Sequence, residues 1–274
     1  MRKAADGETR SGRSIARGSV QRHGTGGNLD NWHGMIKSDS RCARAFITLT
    51  VAVAVLFVVA AQVLADDTQA ELVPEMNVFV KLSDTTRLFF LANLTRNLSE
   101  DTTDGAVGVH LDMTVKPIFR RKFREADWER DRYLWVRIGY QYSGNLVGEE
   151  GASNENRGIV EATGRAPLPF EVWLYNRIHV DLRFIDGDYS QRYREKVGIE
   201  RVLSVGGVTA VPYTEAEFFY DTRFYAWNRQ VYQAGAEVEL TEHWRIEPYY
   251  ARQNDQRSSP AHINRIGLIL KTYW

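Results

Sequence analysis

Residues 172–184 put Val172, Leu174, Asn176, Ile178, Val180, Leu182 and Phe184 on one side of an extended chain. Trp173, Tyr175, Arg177, His179, Asp181 and Arg183 fall on the other. The first set is almost wholly apolar and the second mostly charged, the signature of a strand held between oil and water. The alternation recurs. Val107, Val109, Leu111, Met113 and Val115 oppose His110, Asp112, Thr114 and Lys116; Leu134, Val136, Ile138, Tyr140 and Tyr142 oppose Arg137, Gly139 and Gln141. Tyr232 to Leu240 and Ile266 to Trp274 repeat it, with weaker cases at Leu88–Arg96, Asn156–Arg165, Arg192–Val202, Thr209–Asp221 and Trp244–Gln253. No helical period appears after Met76. Such runs span about 10 to 13 residues, where soluble sheets favour about 5 to 6 and a tilted bilayer crossing takes about 9 to 11.

Alternation alone does not say which face is inside. In a soluble barrel the apolar set fills the core; in a membrane barrel it faces lipid and the charged set lines the lumen. Connection lengths favour the membrane. Short ones (Ser83–Thr85, Ala166–Phe170, Ser204–Gly207, Thr241–His243) alternate with longer polar ones (Asn97–Gly105, Gly144–Ser153, Thr222–Asn228, Asn254–Ala261), the asymmetry of short periplasmic turns and longer outer loops. The basic stretch Pro117–Asp131 breaks this rule and is expected as a short surface helix or a strand excursion. Trp135, Trp173, Trp227, Trp244, Tyr249, Tyr250, Tyr273 and Trp274 sit near strand ends, as an aromatic girdle would. The fold expected for 66–274 is an all-β, transmembrane, antiparallel up-and-down β-barrel of ten to twelve strands. Met76–Leu82 and ten later segments can be counted, and the even numbers of bacterial barrels favour twelve, with a further strand near Asp66–Pro74, over ten.

The front of the chain reads as an address. Lys37, Arg41 and Arg44 precede an apolar run from Ala45 to Leu64, and Val63-Leu64-Ala65 ends it with small residues before Asp66 and Asp67. These are the three parts of a secretory signal, expected at 41–65 with cleavage after Ala65; an uncleaved anchor is the rival reading. Residues 1–40 are polar, Gly/Ser/Arg-rich and aperiodic, expected as a disordered extension or a misassigned start, since Met35 is a more ordinary first residue. Cys42 is the only cysteine, so the mature chain is expected to have neither a disulfide framework nor a cysteine metal site. It precedes the apolar run, which excludes a lipoprotein.

Lys+Arg and Asp+Glu each number 35. Nine of the basic but only four of the acidic residues precede Asp66, leaving a mildly acidic body without the basic face a nucleic acid requires. A mean hydropathy of −0.39 excludes a helical membrane bundle but suits a barrel, where every second residue faces a polar lumen. The expected lumen residues include Asp112, Arg137, Glu161, Arg165, Lys196, Glu200, Glu247 and Lys271. Arg245 is another; basic ones cluster on the Arg177–Lys196 hairpin, with Arg177, His179, Arg183, Arg192 and Arg194 beside Asp181, and acidic ones on Glu215–Glu247, with Glu215, Glu217 and Glu237. Such a wall either selects solutes or cross-links a narrow barrel shut. No nucleophile elbow, HExxH or phosphate loop is present. Ser190 near His179, and the Glu215/Glu217 pair as a carboxylate or cation site, are the weak enzymatic candidates. No cofactor or metal is expected.

The Arg177-x-His179-x-Asp181-x-Arg183 ladder, Tyr213-Thr-Glu215-Ala-Glu217-Phe218, Asn228-Arg229, the Tyr249–Tyr250 strand and the Ile-x-Leu ending together resemble domain-of-unknown-function family 2490 of predicted outer-membrane proteins, across Met76 to Trp274. The resemblance implies an outer-membrane barrel and no catalytic residues; His179 and Asp181 stand where Arg and Glu are expected. The final strand, ending on Trp274, is similar to the terminal strand read by the barrel-assembly machinery. The expectation is a non-enzymatic narrow channel or structural barrel in the outer membrane, touching lipid and at most a small solute. The rivals are an outer-membrane enzyme acting on lipid or lipopolysaccharide and a receptor or adhesion barrel working through its loops.

Overall fold

The computed structural model describes residues 69–115, 128–130, 132–147, 154–257 and 260–274. The expected extension 1–40, the signal 41–65 and its cleavage at Ala65 lie outside the described residues. The strands are β1 (Gln69–Lys81), β2 (Thr86–Asn97), β3 (Thr103–Thr114), β4 (Leu134–Val147), β5 (Glu155–Pro167), β6 (Val172–Ile185), β7 (Asp188–Arg201), β8 (Leu203–Val205), β9 (Val208–Asp221), β10 (Ala226–Glu239), β11 (Trp244–Asp255) and β12 (His262–Tyr273).

They form one twelve-stranded sheet that closes on itself through β1 and β12. The three-residue β8 only extends β9, through the Gly206-Gly207 turn. Eleven strands of 12 to 14 residues therefore build the wall. Neighbours along the wall are antiparallel except at the seam, where β1 and β12 run parallel from Gln69↔Ile263 to Phe79↔Tyr273. The reason is parity: with an odd number of alternating wall strands, the first and last point the same way. Among the described residues no separate strand precedes Met76. Gln69–Pro74 continues into it as β1, and Pro74, which has no N–H to give, sits where the β1–β2 ladder skips from Leu72↔Arg96 to Glu75↔Asn93.

The strands also run further than their alternation suggested, so several loop-end connections are shorter than expected. Asn97–Gly105 contracts to residues 98–102, and Thr222–Asn228 to 222–225. Asp186 and Gly187, both at positive φ (51° and 98°), make the two-residue turn that such a pair favours. The longest connection, 115–133, lies at the same end as the turn 82–85.

Burial is inverted relative to a soluble domain. Arg87, Asp112, Asp181 and Asp221 are 0% exposed, whereas Val107 and Ile178 are 57% exposed and Val160 and Leu268 about half. The apolar set of every alternation faces outward. Strands of this length, tilted about 40°, raise a belt roughly 30 Å tall, the thickness of a hydrocarbon core. The aromatic positions divide by parity. Trp227, Trp244, Tyr250 and Trp274 stand on the outer face, whereas Trp135, Tyr249 and Tyr273 are 2%, 8% and 4% exposed and turn inward. Trp173 shares their parity on β6 and lies 5.0 Å from the Arg165 guanidinium. Two inward tyrosines lie flat over glycines of the next strand. A Cβ on Gly198 would come 2.3 Å from the Tyr175 ring, and one on Gly267 would come 2.1 Å from the Tyr249 ring. Only a residue without a side chain lets these rings lie against the wall.

Candidate functional site

The lumen is the site, and its chemistry is set by pairs that the register brings side by side. At the turn end Asp112 accepts from Arg87 (2.9 Å) on β2 and from Arg137 (2.6 and 2.9 Å) on β4. Arg87 also pairs with Glu129, and its guanidinium is held between the rings of Phe79 (4.1 Å) and Trp128 (4.4 Å). Arg130 reaches Glu237 at 2.6 Å, across the barrel on β10. Arg245 (2.6 Å) and Lys271 (2.7 Å) complete the shell of Glu237. Arg165 pairs with Glu200 and donates to the backbone carbonyl of Glu129.

Trp128, Glu129 and Arg130 thus belong inside the barrel. For its described residues, the stretch expected as a surface helix or strand excursion instead enters the lumen, because its charges and its indole find partners there. Although 36% of the Glu129 side chain is open to the lumen, its depth in the barrel would push the carboxyl up. Arg87, Lys271 and Arg137 outweigh that burial and hold it down at about 2.

In the middle, Glu161 on β5 lies beside His179 on β6 (3.2 Å to Nδ1), and Asp181 contacts Nε2 at 2.7 Å. Arg177 lies 3.4 Å from Glu161. Across the β7–β9 pair, Lys196 donates to Glu215 (2.5 Å) and Arg194 to Glu217 (2.7 Å). Tyr175 donates to Glu215 and Tyr213 to Glu247, each at 2.6 Å. The Glu215/Glu217 pair, considered from sequence as a cation site, is therefore occupied by Lys196 and Arg194. At the loop end Asp221 gathers Arg183 (2.9 Å), Arg192 (3.2 Å) and Arg223 (2.8 Å). Arg183 also bonds Glu155, and Arg229 bonds Asp255. Between these tiers lies a cavity of about 360 Å³ with Glu75, Arg177, His179, Lys196 and Tyr249 on its walls.

The basic β6–β7 hairpin and the acidic β9–β11 wall that the sequence separates are thereby joined rung by rung. Ser190 and His179 are not brought together. Ser190 is opposite Arg183 and His179 opposite Arg194, two inward rungs apart, and both His179 nitrogens face carboxylates. Among the described residues no group of three or more His, Cys, Asp or Glu could hold a metal. Sequence reasoning did not nominate Arg87, Trp128, Glu129, Arg130, Glu155 or Asp221. Arg87 and Glu155 flank alternating runs and could have been found by extending the period; the residues of the 115–133 connection carry no period and could not.

A closed barrel with an apolar outer belt, aromatic side chains at its rims and a charged interior defines a β-barrel of the outer-membrane type. Among solved structures, the β domain of the Bordetella autotransporter BrkA is similar over 67% of this chain and 78% of its own, at 12% identity and a TM-score of 0.38. LpxR from Salmonella typhimurium is similar over 69% and 83%, at 8% identity and 0.44. Outer-membrane expressed OmpT of Vibrio cholerae is similar over 62% and 54%, at 8% identity and 0.30. No family model matches the sequence, so the resemblance to family 2490 rests on its strand patterns alone. No curated protein matches.

Proposed function

We propose that this protein is a narrow structural barrel of the outer membrane whose charged lumen is closed at rest, and not an open pore. The observation that carries the reading is the seating of Trp128–Arg130 in the turn-end mouth, with Arg130 spanning to Glu237 and Glu129 to Arg87. Ion pairs removed from bulk water are strong when geometry is good and the remaining donors and acceptors are met. Here the turn-end tier spans a bore that eleven strands keep small, while the middle and loop-end tiers tie neighbouring strands together along the wall. The terminal strand ending on Trp274 is the element we assign to recognition by the barrel-assembly machinery. We assign no catalytic role. A hydrolase built on Ser190 and His179 would need the two in contact, and they lie two rungs apart.

Planar-bilayer recording tests the reading. The purified protein is expected to give no stable conductance, whereas a Trp128→Ala/Arg130→Ala variant is expected to give discrete steps. Large ohmic steps from the unaltered protein would refute a closed lumen.

A further inference from the structure

The outer face carries a groove that the lumen does not account for. Its floor is Ala216 and Ala234, on β9 and β10; Val197 of β7 stands on one side, and Tyr232, Tyr250 and Arg252 stand on the other, enclosing about 440 Å³. The register explains the shape. Val197, Ala216, Tyr232 and Arg252 are successive outward-facing partners across four strands, so the alanine leaves a trough between larger neighbours.

Arg252 makes the groove specific. On outward-facing positions of the described strands Arg96 pairs with Asp101 and Arg201 with Glu171. Arg252 has no acidic partner among the described residues. It reaches the neutral Asn264 carboxamide, at 3.5 Å, and Tyr250 donates to that same oxygen at 2.8 Å. A guanidinium on a lipid-facing wall is costly without a counter-charge, and the cost falls toward the interface. Arg252 lies three residues from the loop end of β11, beside the outward amides of Asn254 and Asn264, where the apolar belt gives way to polar groups. A lipid phosphate would supply the missing counter-charge at that depth, and the trough beneath it is floored by Ala216 and Ala234 and flanked by Val197.

We propose that this groove binds one anionic phospholipid, its phosphate on Arg252 and one acyl chain over Ala216 and Ala234. The proposal rests on the membrane-barrel reading. That reading fails separately, if the protein fractionates as soluble and its unboiled gel band does not shift on boiling. The test is native mass spectrometry of the detergent-purified, folded full-length chain titrated with phosphatidylglycerol or phosphatidylcholine. The chain is expected to retain one phosphatidylglycerol and to hold it at least tenfold more tightly than phosphatidylcholine. Arg252→Gln is expected to erase that preference, and Arg252→Lys to keep most of it. Ala234→Leu, which fills the trough and adds no charge, is expected to weaken both lipids at least tenfold, while Val160→Leu on the far wall changes neither. Should Arg252→Gln not fold, Ala234→Leu and the lipid preference decide. Equal retention of the two lipids, unchanged phosphatidylglycerol binding in Arg252→Gln or Ala234→Leu, or displacement by inorganic phosphate alone would overturn the proposal.

Discussion

Glu237→Gln is the most informative single change in the lumen. The carboxylate accepts from Arg130 and Arg245 at 2.6 Å each and from Lys271 at 2.7 Å. Each contact is worth roughly 4 kcal/mol gross at an effective dielectric near 20. Against the sum stands the cost of burying the carboxylate, several kcal/mol. The three cations also keep second partners: Lys271 has Glu247 at 2.5 Å, Arg130 has Glu200 at 3.7 Å and Arg245 has Glu239 at 3.8 Å. The net loss is therefore placed at the low end of the range for breaking a buried pair, about 3 kcal/mol, or roughly a hundredfold in the folding equilibrium. Reversible urea unfolding in liposomes, read by the unboiled-to-boiled band shift, measures it. A second change, Arg245→Met added to the Glu237→Gln variant, removes the cation whose other acidic partner is farthest, Glu239 at 3.8 Å, and is expected to recover part of the loss, so the cycle gives a positive coupling. A loss below about 1 kcal/mol, or a cycle with no coupling, would mean that water in the lumen screens these pairs and that the tiers do not hold the barrel closed.

Gly267→Ala drives a methyl into the Tyr249 ring, 2.1 Å away. It is expected to cost about 1–3 kcal/mol in the same assay, relieved by pairing it with Tyr249→Ala. Because the Glu129 carboxyl is held at about 2, below its unfolded value of about 4.3, its contribution is full above the unfolded value and lost as pH falls through the folded one. Bilayers are expected to stay silent at pH 4 and to conduct as pH approaches 2. Glu129→Gln should conduct at neutral pH, and a silent Glu129→Gln barrel would detach the latch from Arg87.

The alternation at Val172–Phe184 determined by itself that this segment is a strand with one oily and one charged face, and the same period located nearly every wall strand. It did not separate the aromatic residues: all eight were expected in one girdle, and the structure turned Trp135, Tyr249 and Tyr273 inward. Where the pattern weakens, its information stops. Strand ends were drawn short because turn-forming polar residues such as Asn97 and Asp104 still pair in the ladder. Pro74 looked like a boundary because the chain does not declare that a seam strand can forgo a hydrogen bond there.

Three things were decided only by tertiary structure. Period two is symmetric between inside and outside, so only the direction in which the sheet curls put Arg87, Asp112, Asp181 and Asp221 at 0% exposure and sent Val107 and Ile178 outward. Parity of the wall is a property of closure, not of any segment, so the parallel seam of β1 and β12 could not be read locally. The entry of Trp128–Arg130 into the mouth depends on partners at Arg87, Glu200 and Glu237, 41 to 107 positions away. A charge in a sequence carries no mark of the counter-charge that closure will bring to it, because Coulomb attraction depends on separation in space and not along the chain.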